Sequence, residues 1–158
     1  MTDLPGDARD LVGEAVLGDA PARLGAAVRP RAVILGWATV ELDRAAEEVG
    51  GLVEAADRAV AEPLPDDRVL GARCRRLRFG ETAVLLLEPS TEGRLAASLA
   101  RRGEGFTVRY LLADRGAIDR ARQAGFTLTS AGHGPFGIER LVVVGPRSGP
   151  FLILAGLD

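Results

Sequence analysis

A short motif occurs twice in this chain, in the same setting each time. Leu42-Asp43-Arg44-Ala45 precedes Gly50, and Ile118-Asp119-Arg120-Ala121 precedes Gly125. Each copy follows an apolar, β-rich run and is followed by a strand hairpin. Helical spacing of the apolar residues with a glycine stop predicts a helix at both places. Two βαβββ modules side by side give an α+β domain, with a curled mixed sheet and helices on its convex face. The alternative is an unrelated α+β domain with a chance echo. Agreement in order, stop residues and hairpins favours the repeat.

The boundaries follow from the turn residues. Residues 1–30 read as an N-terminal extension, with a short helix in Asp7–Leu17 and a loop or linker in Gly18–Pro30. Residues 31–158 read as one domain, with modules 31–90 and 104–158. In the first module Ala32–Val40 is a strand, Glu41–Val49 a helix, and Leu52–Val60 a helix or a strand. Pro63 and Pro65 mark a loop. Val69–Phe79 and Thr82–Leu87 form a hairpin around Gly80-Glu81. Thr91–Arg102 is a helix closed by Gly103. In the second module Phe106–Ala113 is a strand, Ala117–Ala124 a helix and Phe126–Ser130 a short strand. The glycine-rich loop Ala131–Gly137 follows, then strands Ile138–Val144 and Phe151–Leu154.

Composition removes several classes of function. With 158 residues the chain suits one domain with a solid core. A net charge of −2 gives no reason to expect nucleic acid or an anionic membrane as partner. The single cysteine, Cys74, and the single histidine, His133, exclude an internal disulfide and a Cys/His zinc site. No apolar run is long enough to span a bilayer and no signal-peptide pattern opens the sequence, so the expected compartment is the cytoplasm.

Strand alternation separates the two faces of the sheet. With Gly80-Glu81 as the turn, Arg78 faces Ala83, Arg76 faces Leu85 and Cys74 faces Leu87. These residues point inward, and Leu77, Phe79, Val84 and Leu86 point to the helices. The same reasoning turns Ile34, Gly36 and Ala38 inward and Trp37 outward. In the second module it turns Phe106, Val108, Tyr110, Arg140, Val142, Val144, Phe151 and Ile153 inward. The expected cavity is apolar, lined by Ile34, Leu85, Val108, Phe151 and Ile153, with Arg76, Arg78 and Arg140 at its edge and Tyr110 beside them. Guanidinium groups there favour a carboxylate, phosphate or enolate. The alternative is that these arginines reach solvent or pair with Glu81, Glu88 or Glu139.

Three side chains are candidates for moving a proton. His133, in Gly132-His133-Gly134-Pro135, titrates near neutral pH. Glu139 is a proton acceptor at an apolar rim, or else a surface partner of Arg140. The Tyr110 hydroxyl needs a partner or a ligand. Cys74 is expected to be a small apolar residue, Trp37 to be core and Glu104 to be structural. The glycines do not form a phosphate loop.

The segments Leu86-Leu87-Glu88-Pro89, Arg101-Arg102-Gly103-Glu104-Gly105-Phe106, Ile118-Asp119-Arg120-Ala121 with Ala124-Gly125, and Gly145-Pro146-Arg147-Ser148 occur in an order and spacing that resemble the vicinal-oxygen-chelate superfamily. This is the superfamily of glyoxalases, dioxygenases and bleomycin-resistance proteins, and the nearest branch is the methylmalonyl-CoA epimerases. The first strand followed by Glu41-Leu42-Asp43-Arg44-Ala45 resembles that family's opening strand and helix. The resemblance implies four metal-binding side chains on the concave face, at Ile34, Leu85, Val108 and Ile153. All four are aliphatic, and a slip of one residue offers Leu35, Leu86, Arg109 and Leu154. The expectation is therefore no metal and no cofactor.

The expected function is a metal-independent enzyme of isomerase, cyclase or lyase type. It would act on an anionic or enolisable small molecule, plausibly in bacterial natural-product biosynthesis. Two alternatives remain: a small-molecule-binding resistance protein of the same fold, and a degenerate acyl-CoA epimerase-like protein. The resemblance also implies a homodimer.

Overall fold

The computed structural model describes residues 14–52, 60–79 and 82–158. Strands β1 (Ala32–Ala38), β2 (Val60–Asp67), β3 (Ala72–Phe79) and β4 (Thr82–Pro89) make one half of a single sheet. Strands β5 (Gly105–Leu112), β6 (Gly132–Gly134), β7 (Gly137–Val142) and β8 (Phe151–Ala155) make the other. Their order is β2-β3-β4-β1-β5-β8-β7-β6. β1 runs parallel to β4, β5 runs parallel to β8, and β1 and β5 join the halves antiparallel. Each half is thus the same strand quartet, as the repeated motif requires.

The helices are α1 (Glu14–Leu17), α2 (Ala20–Val28), α3 (Leu42–Leu52), α4 (Arg94–Arg102) and α5 (Gly116–Gln123). The first copy of the repeated motif opens α3, whose Leu42, Ala45, Ala46 and Val49 form one apolar stripe. Its start is capped from outside: the Leu42 N–H donates to Glu88 Oε2 at 3.0 Å, and the Glu41 N–H to Thr39 Oγ1 at 3.1 Å. The second copy lies in α5, which buries Ala117 and Ala121.

Alternation along the strands divides the core in two. On the convex side, Leu35, Leu77, Val84 and Leu86 pack on α3. Also on that side, Leu111, Leu152 and Leu154 pack on α2 and α5. On the concave side, Leu85, Leu87, Val108, Tyr110, Phe151 and Ile153 form one cluster, closed at one end by Leu70 and by Leu95 of α4. Leu85, Leu87, Val108, Tyr110 and Ile153 have no solvent exposure. The β3–β4 register is the expected one, with Arg78 opposite Ala83, Arg76 opposite Leu85 and Cys74 opposite Leu87. The turn Gly80-Glu81 lies outside the described residues.

Four expectations need correction. Gly18–Pro30 holds the helix α2, stabilised by burying Leu24 and Val28 in the convex core. Pro63 and Pro65 stand within β2, an edge strand where the missing N–H groups cost little. Phe126–Ser130 makes only one bridge, Leu128 to Val142, while the glycine-rich segment expected to be a loop holds β6. Phe106 turns to the helix side, edge-on to Trp37 with ring centroids 5.0 Å apart. The cause is a shift in the β1–β5 register between Gly36 and Trp37. Of Leu52–Val60, α3 ends at Leu52, β2 begins at Val60, and 53–59 lie outside the described residues. Among the described residues no helix is long and apolar enough to cross a membrane.

Leu24 is fully buried between α2 and the sheet. Leu24→Ala is expected to lower the unfolding free energy by about 2–5 kcal/mol in urea denaturation, as for a core leucine. A loss under about 0.5 kcal/mol, typical of a surface site, would show that α2 is not part of the core.

Candidate active site

The concave cluster is aliphatic except at one place, where three strands bring polar groups together. Asp67 ends β2 after a break in the β2–β3 register between Leu64 and Asp67. Tyr110 comes from the middle of β5 and Glu139 from β7, and all three have no solvent exposure. The Tyr110 hydroxyl donates to Asp67 Oδ2 at 2.6 Å, and the Leu70 N–H donates to Asp67 Oδ1 at 2.9 Å. Glu139 meets no hydrogen-bond donor among the described residues, and the polar group beside it is another acceptor, the Asp67 carboxyl. Two buried acceptors can face one another only with a proton between them. Burial and the Asp67 charge accordingly push Glu139 up to about 10. Burial also raises Asp67, against the hydrogen bonds it accepts. Tyr110 is pushed well above its ordinary value by burial and by Asp67. Asp67 thus accepts from the Tyr110 hydroxyl and the Leu70 amide, and a proton held on Glu139 bridges the two carboxyl groups.

The short hairpin of β6 and β7 covers the cluster. A Cβ at Gly134 would fall on Oε1 of Glu139, so only glycine leaves room for the carboxyl. Phe136 lies edge-on to Tyr110, with ring centroids 5.5 Å apart. Across the gap, the Arg68 N–H donates to the His133 carbonyl at 2.9 Å. Cys74 is buried on the same face, and burial pushes its thiol up. It is a small apolar residue there, as expected.

The other expected residues divide into three groups. Ile34, Leu85, Val108, Phe151 and Ile153 line the concave face. Arg76 and Arg78 lie on that face's flank, held by one carboxylate. Arg76 Nε and Nη2 donate to Glu62 Oε2 at 3.0 and 2.8 Å, and Arg78 Nε lies 3.5 Å from the same oxygen. Arg140 is on the opposite face and needs correction. Arg140 pairs with Leu154 of the convex core, donates to the Thr129 carbonyl at 3.0 Å, and borders an outer groove of about 420 Å3. The run Leu141-Val142-Val143-Val144 fits either face, so the apolar pattern does not set its phase. The structure puts Glu139 inside, beside Asp67, and Val142 in the convex core. The His133 side chain is exposed on β6. Glu104 is structural: it accepts from Thr39 Oγ1, the Val40 N–H and Arg44, which hold its carboxyl down to about 2.

Asp67 and Phe136 are functional candidates that the sequence conceals. Asp67 follows two prolines and another aspartate, the pattern of a solvated turn. No signal in the sequence distinguishes it from Asp66.

No protein-family model matches the sequence, and no curated protein matches it. Among solved structures, methylmalonyl-CoA epimerase from Mycobacterium tuberculosis is similar at 20% identity and a TM-score of 0.64, covering 84% of this chain and 90% of that one. A methylmalonyl-CoA epimerase in complex with methylmalonyl-CoA and NH4+ is similar at 19% identity and a TM-score of 0.62, covering 79% and 92%. A Streptomyces coelicolor methylmalonyl-CoA epimerase variant in complex with 2-nitronate-propionyl-CoA is similar at 20% identity and a TM-score of 0.59, covering 76% and 91%. The chain has the vicinal-oxygen-chelate fold of these enzymes.

The carboxyl pair leaves a signature in stability. Glu139 binds a proton in the fold up to about pH 10, but only up to its ordinary 4.5 when unfolded. Its contribution is complete below about 4.5 and declines as pH rises toward 10, because the folded chain holds the extra proton across that window. Thermal unfolding from about pH 5 to about pH 9 should show wild-type stability falling relative to Glu139→Gln. Parallel curves would mean that Glu139 titrates normally.

Proposed function

We propose that this chain is an enzyme of proton transfer at carbon, of isomerase, cyclase or lyase type. Its substrate is a small anionic or enolisable organic molecule, and it works without a bound metal. The observation that carries this reading is the Asp67–Glu139–Tyr110 cluster, placed in the aliphatic concave face of a fold shared with epimerases. In a dry site Asp67 is a stronger base than in water, and Glu139 is a neutral acid. The Tyr110 hydroxyl is a preorganised donor for negative charge developing on an enolate oxygen. Arg76 would hold a substrate carboxylate by exchanging it for Glu62. The positions where the resemblance calls for ligands carry Ile34, Leu85, Val108 and Ile153. These give a cation no oxygen or nitrogen donor. Among the described residues no three His, Cys, Asp or Glu side chains are grouped to hold one. No step is assigned to the exposed His133.

One observation favours a second reading. The cluster is completely buried, as a purely structural polar network in a small-molecule-binding protein would be.

The test is deuterium wash-in from D2O into enolisable carboxylates, 2-oxo acids and acyl-CoA thioesters, with EDTA present. The expected result is exchange that EDTA leaves intact and that falls about 10²–10⁴-fold in Asp67→Asn, the range for loss of a positioned base. Full activity in Asp67→Asn, or abolition by EDTA, contradicts the proposal. Recovery of a bound ligand with no exchange selects the second reading.

A further inference from the structure

The ordering of the strands leaves one discontinuity around the carboxyl pair. From β2 through β3, β4, β1, β5, β8 and β7 to β6, each strand is paired with the next. The curl brings the two end strands, β2 and β6, back to face each other. There, among the described residues, one backbone hydrogen bond crosses, Arg68 N–H to the His133 carbonyl at 2.9 Å, where a strand ladder would have several. Asp67 is next to it on one side, and Glu139, on β7 opposite Gly132 of β6, is on the other.

We infer that the seam between the end of β2 and β6 is the entrance to the concave face, and that the Asp67–Glu139 contact is its latch. The moving part is the β6–β7 hairpin from Gly132 to Glu139, which carries Glu139 with it. It is short and lies at the end of the sheet. At its turn Gly137 adopts φ +103, a conformation that suits glycine. Lifting it takes Phe136 off Tyr110 and Glu139 off Asp67, which uncovers both catalytic candidates in one movement. The groups facing Glu139 inside are Asp67 from β2, Tyr110 from β5 and Cys74 from β3, and none carries a positive charge. A proton on Glu139 makes the contact a hydrogen bond. Removing that proton sets two carboxylates against each other in a dry site and drives the hairpin off. A substrate group that takes up the Asp67 charge would release the same latch. The inference rests on the proposed function only for what passes through the seam, since opening is read without any substrate.

Cys74 is the chain's one cysteine and is buried beside the pair, which makes it a reporter of opening. The experiment measures its labelling by methyl methanethiosulfonate in the full-length protein near neutral pH. Circular dichroism melts verify that each variant is folded. Glu139→Ala removes the latch and Gly134→Ala forces the Glu139 carboxyl out of its place beside Asp67 by steric overlap, and each should speed labelling at least ten-fold. Glu139→Gln keeps a neutral donor to Asp67, so its rate should stay within about three-fold of wild type. Across a pH series, scaled to the labelling of a small free thiol, wild-type labelling should rise steeply toward about pH 10, the region where Glu139 loses its proton. Glu139→Gln should show no such rise. Should Glu139→Ala not fold, Gly134→Ala and the two pH profiles decide. Unchanged labelling in Gly134→Ala, or superimposable profiles for wild type and Glu139→Gln, overturns the latch. Deuterium wash-in that persists alongside such a result leaves the proton-transfer reading standing and removes only the gate.

Discussion

The end of β2 and the middle of β7 meet in this curled sheet through a pair of carboxyl groups, and Glu139 has no partner unless a proton lies between them. Asp67 accepts from Tyr110 and from the Leu70 amide, while Glu139 has no donor of its own among the described residues. The proton converts what would be repulsion into a hydrogen bond that spans the sheet's open side. The Phe136 ring over Tyr110 and the backbone bond from Arg68 to His133 are grouped around that contact.

The cost of this arrangement makes it informative. The rest of the concave face is leucine, isoleucine, valine and phenylalanine, and apolar side chains could fill the place of the cluster. Replacing buried polar clusters by well-packed apolar residues is often neutral or stabilising. Groups with strongly shifted protonation also concentrate at functional sites. Two carboxyl groups and a hydroxyl donor held together in the buried concave core form a set that proton transfer at carbon can use. The two arginines of the flank share the single Glu62 carboxylate, which balances only one of their charges, and lie at the rim.

Much of the fold was legible in the sequence because it is repeated and because strand alternation is strict. The motif at Leu42 and Ile118 located α3 and α5. Counting outward from Gly80-Glu81 gave the β3–β4 register residue by residue, and with it the inward direction of Leu85 and Leu87. Tyr110 was likewise identified as an inward residue. The errors arose where periodicity carries no phase or where the backbone breaks it. Leu141 to Val144 is apolar throughout, so Glu139 and Arg140 exchanged faces. A bulge beside Trp37 sent Phe106 to the helix side. Pro63 and Pro65 concealed an edge strand and, at its end, Asp67. Its importance comes only from the curl that brings β2 back to β6, a long-range contact with no local sequence signature. The helix α2 was missed because Pro21 and Gly25 weaken its propensity, while its stability comes from burying Leu24 and Val28.

The central claim is that Glu139 is a neutral acid in the folded protein. Carbon-13 NMR of the Glu139 carboxyl, assigned by comparison with Glu139→Gln, measures this directly. The account predicts a protonated carboxyl at neutral pH that ionises only near pH 10, with a simultaneous response at Asp67. Ionisation of Glu139 near its ordinary 4.5 would contradict it.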